Sequence, residues 1–183
     1  GKLPVPEIIQ SWYKNHHDWD IKIWRDKDIS QLKLQNRRIY NLAKKRYNQK
    51  SDIARLEILY KYGGVYVDAD IFNIKNIDNL LDNELFFCQE KQNLIANSVI
   101  GCTKNNLIIR KLIRKMCVNY DYDTAVWKST GPGFITKYLT KKNIVSIPES
   151  NVQIDIVSLT NKITINPYYY VNMMKDIIKD SIF

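Results

Sequence analysis

The sequence has little of what staples, hinges or anchors a chain. Its three cysteines, Cys88, Cys102 and Cys117, are an odd number without metal-ligand spacing. A disulfide framework and a zinc cluster are therefore poor organising principles for it. The six glycines and five prolines are scattered. No Gly/Ser/Pro-rich linker and no repeat divides the chain, so residues 1–183 read as one domain. No apolar run approaches the ~18 residues that span a bilayer, and no secretory apolar segment opens the chain. Gly1 stands where Met would, which points to a piece of a longer protein. Arginine is scarce, with 7 residues against 21 lysines.

What is present is enough to build a core: 45% of the residues are apolar and 11% aromatic. The net charge is +9 and the pI is near 9.3. Such a balance invites polyanions. However, Lys, Asn and Ile share A/T-rich codons, so their abundance follows from base composition alone. The better base reader, Arg, is the scarce one. The basic residues Arg37, Arg38, Lys44, Lys45 and Arg46, with His16, read as a solvated face, and no nucleic-acid partner is expected.

Periodicity predicts helices over residues 4–17, 36–48, 51–62, 105–119, 131–139 and 171–179. Short strands are predicted over 20–25, 65–67, 85–88, 97–101, 144–146 and 163–165. Ser51 is placed to cap the third helix and Gly63 to end it. Helices alternating with strands imply an α/β sandwich.

Three features converge in residues 51–70. Asp68 and Asp70 flank Ala69 directly after an apolar strand. A continuing strand would point both to one side, making a hard-oxygen site of the kind Mg²⁺ and Mn²⁺ prefer. A solvated Asp-rich turn is the simpler alternative. Asp52 and Arg55 lie three apart, on one helix face, bracketed by Leu56, Leu59 and Tyr60, with Glu57 and Lys61 on the wet side. They either pair locally near the first turn or serve a ligand. Gly63-Gly64 is one glycine more than a helix cap needs, which suggests a close backbone approach or a second unusual dihedral.

As a set, Ser51, Asp52, Arg55, Leu59, Gly63, Gly64, Tyr66, Asp68 and Asp70 spell S-D-x-x-R-x-x-x-L-x-x-x-G-G-x-Y-x-D-x-D. This resembles the signature of the glycosyltransferase family 32 group, the sugar-binding region with a DXD motif. That group includes capsular and initiating-mannosyltransferase type enzymes, and is similar in its core to the glucosylating domains of large clostridial toxins. Weaker similarity runs through residues 9–26, 77–81, 86–87 and 97–112, and through Thr130-Gly131-Pro132.

The resemblance implies a GT-A-type nucleotide-sugar-binding α/β/α sandwich. It implies a metal-dependent, retaining glycosyltransferase that moves a sugar from a UDP- or GDP-sugar to a hydroxyl of a glycan or protein acceptor. Asp70 would bind Mn²⁺ or Mg²⁺ directly, and Asp68 would contact both donor and metal. Asp52 and Arg55 would bind hydroxyls of the transferred sugar. Tyr66 would line the donor site, Gly63 and Gly64 would turn the backbone beneath it, and Asn97 would face the sugar or acceptor.

The family's opening I-P-K-I-I-H-x-x-W strand and closing His and Ser-Trp are not in this sequence. The domain is accordingly expected to lack its terminal segments, through which membrane association is open. A cytoplasmic or membrane-associated setting is favoured, with a lumenal one also open. A non-catalytic nucleotide-sugar or carbohydrate-binding module of the same fold is the alternative. A haloacid dehalogenase-type phosphohydrolase also places D-x-D after a strand, but leaves S-D-x-x-R and Gly-Gly unexplained. Trp127, next to Gly131-Pro132-Gly133, is the aromatic singled out for sugar stacking.

Overall fold

The computed structural model describes residues 6–91, 94–141 and 163–166. Its centre is a helix, α4 (Tyr47–Tyr62), buried on nearly every side, following α1 (Pro6–Asn15), α2 (Asp26–Gln31) and α3 (Arg37–Leu42). Strand β1 (Gly64–Val67) leaves α4 at once. Strands β2 (Leu85–Lys91) and β3 (Leu94–Cys102) come next, then α5 (Leu107–Asn119), α6 (Val126–Ser129) and α7 (Pro132–Lys141). Strand β4 (Ile163–Asn166) closes the set.

The sheet is mixed, in the order β1-β3-β2-β4. β3 pairs antiparallel with both β1 and β2, and β4 adds to β2 in parallel. Alternation sends side chains to both faces. Leu85, Phe87, Ile95, Ile100 and Cys102 pack with Ile53, Leu56 and Leu59 of α4, with Ile109, Leu112, Ile113 and Met116 of α5, and with Ile135 and Leu139 of α7. Phe86, Cys88, Ala96 and Val99 face α1 and the segment after β1, through Ile8, Trp12, Ile71, Ile77 and Leu80. Helices thus cover both faces, as the α/β/α expectation requires.

Helix α1 also fastens the chain that follows the two aspartates. Trp12 Nε1 donates to the Ile71 carbonyl at 2.8 Å, and the Ile77 N–H donates to His16 Nε2 at 3.0 Å. His16 is therefore a buried pin, stacked on Trp12 and tilted against Trp19, and no part of an exposed basic face. Helix α5 starts where Asn106 caps it, accepting from the Ile108 and Ile109 N–H groups.

Several local expectations are corrected. Residues 20–25 form no strand, because they pair with none; Trp24 instead packs beside Ala54 and Ile58. The expected helix over 36–48 is interrupted after Leu42, where Lys44 turns left-handed (φ 46°) in the manner of a C′ residue. Ser51 is not a cap, since α4 begins at Tyr47 and leaves its hydroxyl free for other work. Glu57 is not on a wet face. It is 6% exposed, because a second apolar cluster of Ile29, Leu32 and Leu34 covers that side of α4. Its carboxylate accepts from the Gln35 and Asn36 N–H groups, at 3.1 and 2.8 Å. The expected strand over 144–146 and helix over 171–179 lie outside the described residues. Among the described residues no helix is long and apolar enough to cross a membrane.

All three cysteines are free thiols. Burial pushes the Cys88 and Cys102 thiols up to about 12, while Cys117 is exposed. A thiol reagent at pH 8 is expected to label one cysteine of the native protein and all three after denaturation. A second fast-reacting native thiol would contradict this packing.

Candidate functional site

The functional cluster is assembled where α4 passes the end of β1. Asp52 and Arg55 share one face of α4 and form an ion pair, Nη2 to Oδ1, at 3.0 Å. They are 6% and 4% exposed. Buried charges need partners, and Arg55 reaches onward to the first aspartate after β1. Its Nη2 lies 3.2 Å from Asp68 Oδ1, and its Nη1 donates to Asp68 Oδ2 at 3.4 Å. The planar fork thus holds two carboxylates from two elements.

The rest of the guanidinium is also engaged. Nη1 donates to the Asn97 carbonyl. Nη2 donates to Ser51 Oγ at 3.2 Å, and Nε to the Ser51 carbonyl at 3.4 Å. With five N–H donors in total, Arg55 keeps none for a ligand in this arrangement. The Tyr66 ring lies under it at 4.8 Å, and the phenol donates to Asp68 Oδ1 at 2.9 Å while sharing a 3.0 Å bond with Ser51 Oγ.

Asp52 is held from the other side as well. Asn97 Nδ2 donates to its Oδ1 and Thr130 Oγ1 to its Oδ2, both at 2.8 Å. Thr130 comes this close because Gly131 follows it. A Cβ at Gly131 would sit 2.9 Å from Trp127 Cα and 3.4 Å from Asp52 Oδ2. That places the α6 backbone within one side chain's reach of the carboxylate. Trp127 itself is 52% exposed, at the rim.

The electrostatics follow from burial. Desolvation raises the pKa of Asp52, against the pull of Arg55 and of the bonds from Thr130 and Asn97. Asp68 is raised for the same reason, against Arg55 and Tyr66. Burial also pushes the Tyr66 phenol up to about 12, so it remains a hydrogen-bond donor at any working pH. Burial disfavours the charged form of Arg55, but Tyr66, Asp68 and Asp52 outweigh it and hold the guanidinium charged.

Asp70 behaves differently from Asp68. The strand ends at Val67, and residues 68–71 turn, with the Ile71 N–H donating to the Asp68 carbonyl at 3.1 Å. The strand geometry that would point both carboxylates to one side therefore does not continue. Asp68 faces α4, with 29% of its side chain exposed, whereas Asp70 is exposed and makes no hydrogen bond or ion pair among the described residues. No group of three His, Cys, Asp or Glu poised for a metal occurs among the described residues. One free carboxylate beside a held one still fits a hard divalent cation, which typically takes one or two carboxylates and completes its shell with substrate phosphates and water.

The structure thus brings together Asp52, Arg55, Tyr66, Asp68 and Asn97, with Asp70 alongside. Gly63 and Gly64 lie at the far end of β1, where both have positive φ (72° and 87°). They shape the turn that carries the chain from α4 into the sheet. Sequence reasoning missed Ser51 as a partner of Arg55 and Tyr66, and treated Thr130 only as part of a Thr-Gly-Pro segment.

Residues 5–87 match the family model described as "Glycosyltransferase sugar-binding region containing DXD motif". Over this region the chain is similar to the glycosyltransferase family 32 group. The inositol phosphoceramide mannosyltransferase 3 of Schizosaccharomyces pombe is 27% identical over 162 residues, covering 72% of this chain and 44% of the relative. The human alpha-1,4-N-acetylglucosaminyltransferase is 28% identical over 89 residues, covering 49% of this chain and 24% of the relative. Among solved structures, the PaToxG glycosyltransferase superposes with a TM-score of 0.52 at 25% identity, covering 71% of this chain and 50% of that one. The GT-A-type fold expected of the family 32 group is therefore borne out. The chain spans less than half the length of these curated relatives.

Proposed function

We propose that residues 1–183 act as one catalytic domain that transfers a sugar from a UDP- or GDP-sugar to a hydroxyl of a glycan or protein acceptor. The observation that carries the proposal is the Arg55 fork. It fixes a buried Asp52 and a half-buried Asp68 next to the free Asp70, within a region matched by the DXD glycosyltransferase model.

Each residue receives a role from its environment. Asp70, aided by Asp68, would hold Mn²⁺ or Mg²⁺, which when bound offsets the charge of the departing diphosphate. Asp52 is the sugar-hydroxyl acceptor. A carboxylate offers about four lone-pair sites, and bonds from Asn97, Thr130 and Arg55 leave room for a ligand hydroxyl. Arg55 is a positioning residue, with its N–H groups already committed. Tyr66 keeps Asp68 oriented, and Asn97 orients Asp52. Gly63 and Gly64 act at a distance, by setting how β1 leaves α4. Holding the sugar in one pose contributes to catalysis through orientation. Arg55 holds both inward carboxylates, which suits neither for nucleophilic attack. Retention by front-side attack of the acceptor hydroxyl is therefore part of the proposal. Similarity to a mannosyltransferase and to an N-acetylglucosaminyltransferase supports a hexose or N-acetylhexosamine as the transferred sugar.

Nucleotide release from a panel of UDP- and GDP-sugars, with Mn²⁺, with Mg²⁺ and with EDTA, tests the proposal. Hydrolysis of one donor that stops in EDTA is expected. No turnover, with thermal stabilisation by a nucleotide and metal, would replace it with a binding module of the same fold.

A further inference from the structure

A groove of about 340 Å³ opens at the opposite end of β1 from the aspartates, where α4 ends and β3 leaves the sheet. The buried Leu32 and Leu34 line it together with Tyr60 and Tyr62, and the exposed Lys33, Lys61 and Lys104 complete the lining. The three lysines come from the turn after α2, the last turn of α4 and the loop after β3. None has a carboxylate within ion-pair range among the described residues. The one carboxylate in the lining, Glu57, spends both oxygens on the Gln35 and Asn36 N–H groups, and burial raises its pKa. The result is a concave apolar surface ringed by three lysines without a carboxylate partner, one of them, Lys61, 5.0 Å from the centre of the Tyr62 ring, and concavity focuses such a field.

We propose that this groove binds a small phosphorylated molecule. Lys33, Lys61 and Lys104 hold the phosphate, and an apolar or aromatic moiety rests against Leu32, Leu34 and the two tyrosines. The volume falls in the range of small-molecule sites, ~300–1,000 Å³. Its concavity favours a soluble ligand over a bilayer, whose flat surface cannot follow the groove to its base. Four strand residues at ~3.4 Å each separate it from Asp68, so the site is distinct from the carboxylate cluster and does not depend on the donor reading.

Calorimetric titration of phenyl phosphate into the 183-residue chain, in EDTA at fixed ionic strength, tests the proposal. One saturable site is expected, binding phenyl phosphate more tightly than inorganic phosphate. The K33Q/K61Q/K104Q variant should weaken it by about tenfold or more with an unchanged melting temperature; the three side chains are exposed, so the fold should tolerate the change. No saturable binding, or equal binding by the variant, would overturn it. So would lysine-dependent sedimentation with phosphatidylcholine–phosphatidylserine vesicles in the absence of phenyl phosphate binding, which would make the face a membrane contact.

Discussion

Arg55→Leu is expected to lower the melting temperature by roughly 10 °C and to abolish donor turnover. The guanidinium joins α4 to the end of β1 through two carboxylates, a carbonyl of β3 and Ser51. Removing it leaves Asp52 buried without its counter-ion. Breaking a buried pair from one side typically costs about 3–5 kcal/mol, and in a chain of this size each kcal/mol moves the midpoint by about 2–4 °C. The pH dependence has a definite sign. Burial already raises the Asp52 and Asp68 pKa values, and Arg55 is the strongest force holding them down. Without it both rise further above their unfolded values. The folded variant then binds protons that the unfolded chain releases, so its stability falls as pH rises through that interval and recovers as pH is lowered back through it. Arg55→Lys should rescue only part of the loss, since a point charge cannot span both carboxylates. Thermal melts of the three proteins between pH 5 and 8 check this. A variant as stable as the parent at pH 8 would show that the fork carries little.

Gly63→Ala is expected to destabilise the fold by about 2–4 kcal/mol, combining left-handed strain with forced repacking. Gly63 has φ 72°, and a Cβ there would lie 2.7 Å from the Lys104 backbone N. That neighbour is main chain and cannot swing aside. Yielding would displace β1 relative to α4, and with it Asp68 relative to Arg55, so turnover should fall with stability. Gly64→Ala is the control. Its φ of 87° brings the strain, but nothing lies within 4 Å of the added carbon. It should cost about 1–2 kcal/mol. Urea unfolding of both variants measures the difference, and equal effects would contradict the close approach at Gly63.

Much of this site was legible because its chemistry is local in sequence. Asp52 and Arg55 share a face by helical spacing, and the second glycine proved to be needed, with both glycines in positive φ. Helix α5, expected over 105–119 and found over Leu107–Asn119, follows from local pattern as well. What escaped is set by tertiary packing. A helical wheel describes one helix against one core, but α4 is covered from two sides, which turns Glu57 inward. Residues 20–25 have strand chemistry but no strand beside them. Thr130 lies 78 positions from Asp52, a distance no periodicity spans, and Asn97 came only from family resemblance. The unlike surroundings of Asp68 and Asp70 were hidden too: the strand end at Val67 was foreseen, but the turn after it and the reach of Arg55 to Asp68 are set by tertiary contacts.

That difference frames the most direct test. Asp70 is exposed and unbonded among the described residues, so Asp70→Asn should leave the melting temperature unchanged. Nucleotide release from the preferred donor, measured with Mn²⁺ and with EDTA, should fall about 100-fold or more in the variant and lose its metal dependence. Full metal-dependent turnover by Asp70→Asn would contradict the placement of the donor site at the end of β1.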